Sequence, residues 1–270
     1  MSDITLSAGV RNNLLALQNT ATELAQASTA LSTGKKVNSA LDNPISYFTA
    51  LNLTGQASDL SNLLDSISNG VQTIQAANNG ITSLQTLVDS AKALANQALA
   101  TSDTTSRASL ATQFGTLLTQ IDQLSGDAGF NGTNLLNGDT LKVTFNQDGT
   151  SSLSITGVTD TSSGLGISAA AGSWATNTNI NAAITNLDSA TTTLRSQATT
   201  FGSNLTVIQA RQAFTSNLIN TLQTGADNLT AADPNQEGAD LTALQTRQQL
   251  STVALSIANQ SNSAVLRLFG

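Results

Sequence analysis

The chain has 270 residues and a formal net charge of −7, and it contains neither histidine nor cysteine. These absences exclude a Ser-His-Asp triad, a histidine metal site and an HExxH zinc protease, together with disulfides and thiolate chemistry. Ten basic residues without a basic run argue against nucleic acid as a partner. Aromatic residues make up only 3%, which favours helices packed through small and aliphatic side chains.

The sequence shows no targeting segment of the usual kinds. No uninterrupted apolar run reaches the length of a membrane span, so we expect no membrane insertion. The opening residues have neither the basic nor the apolar region of a secretory signal peptide. If the protein leaves the cell, we expect it to use a secretion pathway that does not depend on a cleaved signal peptide.

The first predicted element is a helix with an apolar stripe whose members alternate by four and three residues. This spacing keeps one seam facing a partner helix. Gly34 and Pro44 interrupt the pattern, since proline disfavours helix at the residue before it. The principal stripe residues are Val10, Leu14, Leu17, Leu24 and Leu31.

The second pattern is longer, because every seventh position from residue 60 is aliphatic. It predicts one helix of about 40 residues in a coiled-coil-like bundle. A shorter predicted helix then runs to Gly126. The repeating positions of the long helix include Leu60, Ile67, Ile74, Ile81 and Val88.

Helical periodicity disappears between residues 126 and 176, where Gly, Asn, Asp, Ser and Thr are dense. Residues 141–145 and 152–156 alternate apolar and polar side chains around Asp148-Gly149. This combination predicts a β-hairpin with the Asp-Gly pair in its turn.

Helical periodicity returns after the hairpin and stops near Pro234, and a closing apolar stripe follows. The order of elements is therefore nearly symmetric about the hairpin. We expect a mainly α fold, with paired long N- and C-terminal helices in coiled-coil-like bundles and a small β-hairpin insert at the tip. The returning helix presents Ile184, Leu187, Leu194, Phe201 and Ile208, and the closing stripe presents Leu250, Ala254, Ile257, Leu266, Leu268 and Phe269.

Three segments carry a family resemblance: "LSTGKKVNSALDNPISY", "FNGTNLLNG" and "LTALQTRQQLSTVALSIANQSNSAVLRLFG". They resemble bacterial flagellin, in the order in which that family has them and over essentially the whole chain. The hairpin region leads quickly into the returning helix, so the resemblance is to a short flagellin with inner-tube and outer-tube domains only. The resemblance implies a structural, self-assembling filament subunit of bacterial motility, without catalysis or cofactor.

The resemblance also divides the chain. Residues 1–43 and 235–270 correspond to the inner-tube terminal helices, 44–125 and 177–234 to the outer-tube helical bundle, and 126–176 to its β-hairpin and loops. Pro44 and Pro234 are then the expected hinges.

This division implies a structural role for each apolar stripe. The stripe residues of the two terminal helices become candidate subunit contacts of the inner tube, and those of the long helices become the outer-tube core. Arg11, Arg247 and Arg267 either line the tube or lie on solvated faces. Asp233, Glu237 and Asp240 are interpreted as a solvated linker with acids at a helix start.

The family's partners follow from the same resemblance. They are other copies of the chain, an export chaperone bound through the C-terminal helix, and the filament cap and junction proteins. Unfolded export through the flagellar type III system would place the subunit outside the cell, in the filament. The alternative is a hook–filament junction protein, which shares the terminal helices.

One segment corresponds to the patch that the vertebrate flagellin-specific Toll-like receptor senses. Leu94 and Gln97 match the usual pattern, but Lys92 stands where an arginine is typical. Lysine lacks the planar donor fork of arginine. We therefore expect weak or no receptor recognition.

Overall fold

The computed structural model describes residues 8–269, except for the side chains of Asn262 and of residues 265–269. Within this range the chain forms five α-helices and one antiparallel hairpin, which confirms the predicted class. A single 3-10 turn at Ala171–Trp174 precedes the fourth helix. The elements are α1 (Ala8–Thr33), α2 (Pro44–Ala100), α3 (Thr104–Asp127), β1 (Thr140–Thr144), β2 (Ser152–Thr156), α4 (Asn177–Thr230) and α5 (Pro234–Phe269).

Internal contacts divide the chain into two units. The central unit spans Ala57–Ile219, and the terminal unit joins the chain up to Gln56 with the chain from Asn220 onwards. Helices α2 and α4 each contribute to both units. None of the helices within the described residues has an apolar stretch sufficient to cross a bilayer.

Both prolines are the first residues of helices. The side chain of Asn43 caps α2 by accepting the backbone N–H of Ser46 at 3.0 Å. The side chain of Asp233 caps α5 by accepting the N–H of Asn235 at 2.9 Å. Proline suits the first helical position, because a backbone N–H at that position has no hydrogen-bond partner within the helix and proline lacks this N–H.

Helix α2 is longer than predicted, with 57 residues. Its first turns show no clear amphipathic stripe, because large apolar side chains point to solvent and small ones face inward. Phe48 and Leu51 are exposed, whereas Ala50 and Ala57 are buried. The predicted length came from the apolar repeat, which starts only at Leu60.

The core of the central unit lies between α2, α3 and α4. Nine of the ten predicted core residues are buried, and Ile184 packs half-buried against the cluster. Leu60 is buried outside the main cluster. Trp174 fills the junction beside α3, with its ring centroid 4.8 Å from that of Phe114.

The hairpin lies on α2 and has the register Val143↔Leu153 and Leu141↔Ile155. Val143 and Ile155 point inward and are buried. Gly70 of α2 lies beneath the hairpin. A Cβ at this position would stand 2.7 Å from Cγ2 of Val143, so a glycine allows the hairpin to approach the helix closely. The predicted strands match those of the structure, with β1 beginning one residue earlier.

Candidate assembly surfaces

Helices α1 and α5 pack against each other in the terminal unit. The covered or half-covered positions on each helix recur by three and four residues, as in a coiled coil. On α1 they are Val10, Asn13, Leu17, Thr20, Leu24, Ala27 and Ala30. On α5 they are Leu241, Leu244, Gln248, Ser251, Leu255 and Ala258.

The apolar stripe predicted on α5 lies on a different face of that helix from the one that meets α1. Leu250 is 66% exposed and Ile257 is 61% exposed, and Ala254 between them is exposed as well. Leu266, Leu268 and Phe269 are predicted members whose side chains lie outside the described residues. Within a single chain, the described part of this stripe is therefore left without a covering element.

The stripe predicted on α1 is split between two environments. Val10 is buried, Leu17 and Leu24 are half-buried, and Leu14 and Leu31 are exposed. The first three belong to the face turned toward α5, so they are already used within the chain. Leu14 and Leu31 remain available for another molecule.

The two helix breaks lie side by side and are joined by backbone hydrogen bonds. The N–H of Lys36 donates to the carbonyl of Thr230 at 2.8 Å, and the N–H of Ala232 donates to that of Gly34 at 2.9 Å. Gly34 has a φ of 68°, which favours glycine. The hinge role of Pro44 and Pro234 stays a prediction.

A groove of about 960 Å³ lies between α1, α5 and the loop of residues 34–43. Acidic groups outnumber basic ones along it. The Arg247 guanidinium contributes an exposed ion pair with Glu23 on α1, at 3.7 Å between Nη1 and Oε2. Glu237 and Asp240 also line this groove, at the start of α5, while Arg11 is exposed. The Arg267 side chain is outside the described residues.

Asp42 organises the loop that borders this groove. Its Oδ2 accepts the backbone N–H groups of Asn38 at 3.0 Å and Ser39 at 2.9 Å. These bonds hold the pKa of the Asp42 carboxyl below its usual value. The loop therefore has a defined conformation immediately before α2 begins.

Arg107 is a buried charge in the central unit that the sequence patterns did not reveal. Its Nε donates to the carbonyl oxygens of Ala98 at 3.1 Å and Thr101 at 2.7 Å, near the end of α2. Its Nη1 donates to Ala175 at 3.2 Å, and its Nη2 bonds the side chain of Asn177. One side chain thus links α3 to the end of α2 and the start of α4.

Asp160 is the second buried ionisable group that the patterns missed. It is fully buried, and neither carboxylate oxygen has a hydrogen-bond partner among the described residues. Burial raises its pKa to about 6. The Gln197 amide on α4 acts in the opposite direction, although it does not reach hydrogen-bonding geometry.

The candidate receptor patch lies on α2 within the central unit. Lys92 forms an ion pair with Asp188 on α4. Leu94 is half-buried against the core cluster, and Gln97 is exposed. The three side chains are therefore in different environments, and only Gln97 is free of the core and of an ion pair in the described structure.

In the described part of the chain, Asp and Glu side chains do not gather into a group of three that would hold a metal ion. The features that do stand out are the uncovered apolar faces of α1 and α5.

Comparison with known families matches both halves of the chain. The model of the bacterial flagellin N-terminal helical region matches residues 7–140. The model of the bacterial flagellin C-terminal helical region matches residues 184–269. The two matched regions therefore contain α1–α3, nearly all of α4, and α5.

Several curated relatives match over nearly their whole length. Flagellin FljM of Caulobacter vibrioides is 35% identical over 265 residues, which cover 95% of each chain. Flagellin FljK of the same organism is 33% identical over 100% of this chain and 99% of its own. A flagellin of Brucella melitensis is 29% identical over the same shares. These relatives are named flagellins rather than junction proteins, and the chain belongs to the bacterial flagellins, the structural, non-enzymatic proteins of the flagellar filament.

Proposed function

We propose that copies of this chain polymerise through the exposed apolar faces of α1 and α5, which form the inner wall of the filament. Residues 1–43 and 235–270 supply that wall. Residues 44–125 and 177–234, with the hairpin region 126–176, form the surrounding outer tube. The observation that supports this is the exposure of Leu250 and Ile257 on α5, because large aliphatic side chains left in water forfeit about 1.5–3 kcal/mol each.

The heptad spacing of the covered residues supports the same proposal. Helix α5 presents one stripe to α1 and a second apolar stripe to solvent. A helix that is apolar on two faces is typical of a position between two partners. One partner is α1 of the same chain, and a second copy supplies the other. A contact between different surfaces of identical copies builds an open helical polymer when its rotation does not close into a ring.

The test is seeded polymerisation of the purified chain. We expect Leu250→Glu/Ile257→Glu to raise the critical concentration at least about a hundredfold, since two large aliphatic contacts are lost and two carboxylates are desolvated. The matched control is Gln249→Glu/Ser256→Glu, which adds the same charge at two exposed positions of α5, also seven residues apart. We expect a much smaller effect from the control.

Two outcomes would contradict the proposal. Failure of the unaltered chain to extend filament seeds would remove the assembly function itself. Equal polymerisation by both double variants, at the concentration of the unaltered chain, would show that the exposed α5 stripe is not the contact. Circular dichroism of each monomer controls for loss of helix.

Membership of the flagellin family supports proposals about the export route, the binding partners and the location of this chain. We propose unfolded export by the flagellar type III system to the outside of the cell, an export chaperone on the C-terminal helix, and contact with cap and junction proteins. We also propose weak Toll-like receptor recognition, because the Lys92 ammonium is engaged by Asp188. Receptor activation by purified monomer measures the last point.

A further inference from the structure

The first turns of α2 and the loop before them expose four large apolar side chains. Leu41 is 95% exposed and Ile45 is 81% exposed. Phe48 and Leu51 follow at intervals of three residues, each more than half exposed. We name these four residues the α2-start surface.

The α2-start surface is held in place by defined local structure. The Asp42 carboxylate fixes the loop by accepting two backbone N–H groups. Asn43 caps the helix, and Pro44 begins it. Phe48 packs edge-on against Tyr47, with 5.5 Å between ring centroids. The exposed side chains are therefore presented on a fixed frame.

The opposite side of the same turns is already used within the chain. Ala50 and Ala57 are buried. Leu53 lies against α4, because a Cβ at Gly225 would stand 3.5 Å from its Cδ1. The α2-start surface is therefore a second apolar side of a helix whose first side is already packed.

The absence of charge along the helical part of the α2-start surface indicates what covers it. Residues 43–58 contain no charged residue, although the whole chain has a net charge of −7. Identical copies with the same net charge repel one another. Surfaces at which such copies meet are best free of charge, and this surface is free of charge along its helical part.

We propose that the α2-start surface is a contact with a second copy of this chain, separate from the contact made by the exposed stripes of α1 and α5. This inference rests on the proposed assembly function and adds a second surface to it. One pair of complementary surfaces is enough to extend an open helical polymer; a second pair would join each copy to a further neighbour.

The decisive variant is Ile45→Glu. Ile45 is the second residue of α2, where an acidic side chain interacts favourably with the helix dipole. The monomer should therefore fold at least as well as the unaltered chain, so a loss of assembly reports on the surface. The matched control is Ser58→Glu, which adds the same charge at an exposed position of the same helix.

We expect Ile45→Glu to raise the critical concentration for seeded polymerisation by at least about tenfold, since an aliphatic contact is lost and a carboxylate is desolvated. Ser58→Glu should stay within about twofold of the unaltered chain, because it lies outside the apolar surface. Ile45→Leu, which keeps the apolar character, should also assemble normally. Thermal unfolding of each monomer checks the fold.

Two results would overturn the inference. One is polymerisation of Ile45→Glu at the concentration of the unaltered chain, with Leu250→Glu/Ile257→Glu still defective; the assembly function would then stand and this surface would fail. The other is normal assembly of purified Ile45→Glu with defective secretion from cells, which would assign the surface to an export partner. Failure of the unaltered chain to polymerise would instead count against the proposed function.

Discussion

Arg107 and Asp160 show two ways of burying a charged side chain in the same helical unit. Arg107 places its donors on three carbonyl oxygens and an amide oxygen, so its burial is compensated by hydrogen bonds. Asp160 has no such compensation among the described residues. A buried carboxylate without donors favours its neutral form, because desolvation penalises the charge.

Asp160 should therefore make stability fall as the pH rises. Its pKa is about 6 in the folded chain against 3.8 for the free group. Between these values the folded state binds more proton than the unfolded state, so the free energy of unfolding decreases with pH. The decrease is complete above about pH 6 and amounts to about 3 kcal/mol.

The variant Asp160→Asn tests this directly. It keeps the shape of the side chain and removes the ionisation, so it should unfold with the same free energy as the unaltered chain near pH 4. At pH 8 it should be more stable, by up to about 3 kcal/mol. Denaturant unfolding at pH 4, 6 and 8 measures the difference.

Asp89→Asn is the control for Asp160→Asn, since it removes an exposed carboxylate of α2. The effect of Asp160→Asn should change more between pH 4 and pH 8 than that of the control, because Asp160 is the buried carboxyl of the two. A pH-independent difference between Asp160→Asn and the unaltered chain would show that the buried carboxyl does not titrate in this window.

Apolar residues could be placed from the sequence far better than these polar ones. The seven-residue repeat identified Ile67, Ile74 and Ile81, all of which are buried. Arg107 and Asp160 have no periodic signal, because their burial depends on carbonyls and packing contributed by distant segments. The same holds for Trp174, which stands in a loop in the sequence and is fully buried in the structure.

At the level of elements, the helices and the hairpin could be predicted, but their docking could not. The prolines marked the two breaks between helices, and the Asp148-Gly149 pair marked the turn. The backbone hydrogen bond between Lys36 and Thr230 joins positions nearly two hundred residues apart, and no local pattern specifies it. The extent of α2 was also missed, because its first turns expose their large apolar side chains.

Two helix glycines offer a matched test of how closely elements pack. A Cβ at Gly80 in α2 would stand 2.6 Å from Cδ1 of Leu136 and 2.8 Å from Cβ of Ala128. Gly115 in α3 has nothing within 4 Å of the same position. Both substitutions to alanine gain helix propensity, but only the first also creates a clash.

We expect Gly80→Ala to lower the free energy of unfolding by about 1–2 kcal/mol, the net of overpacking and helix propensity. Gly115→Ala should raise it by about 0.5–1 kcal/mol. Denaturant unfolding of both variants measures the two signs. Stabilisation by both would show that the loop of residues 128–136 moves aside at little cost.

At the scale of the whole molecule, the chain combines uncovered apolar surfaces with an excess of like charge. Its seventeen acidic and ten basic residues leave a net charge of −7. Assembly brings these charges together, so apolar burial has to exceed a repulsion that the ions in solution weaken. This balance explains why charge-free segments coincide with exposed apolar side chains at residues 43–58 and 248–261.

The balance predicts the response of polymerisation to salt. The screening length falls from about 30 Å at 0.01 M to about 10 Å at 0.1 M ionic strength. Repulsion between neighbouring copies should weaken accordingly, and the critical concentration for seeded growth should fall several-fold from 10 to 150 mM sodium chloride. Sedimentation of polymer from monomer at each salt concentration gives this value.

The variant Asp65→Asn/Asp89→Asn/Asp148→Asn provides the matched control, because it removes three exposed carboxylates and changes the net charge from −7 to −4. Its critical concentration should be lower at 10 mM salt and should depend less on added salt, since there is less repulsion to screen. A critical concentration that rises with salt would mean that pairs of opposite charge, such as those available along the groove between α1 and α5, dominate the contacts. Apolar burial against a net repulsion gives the opposite sign, so the direction of the salt effect alone separates the two.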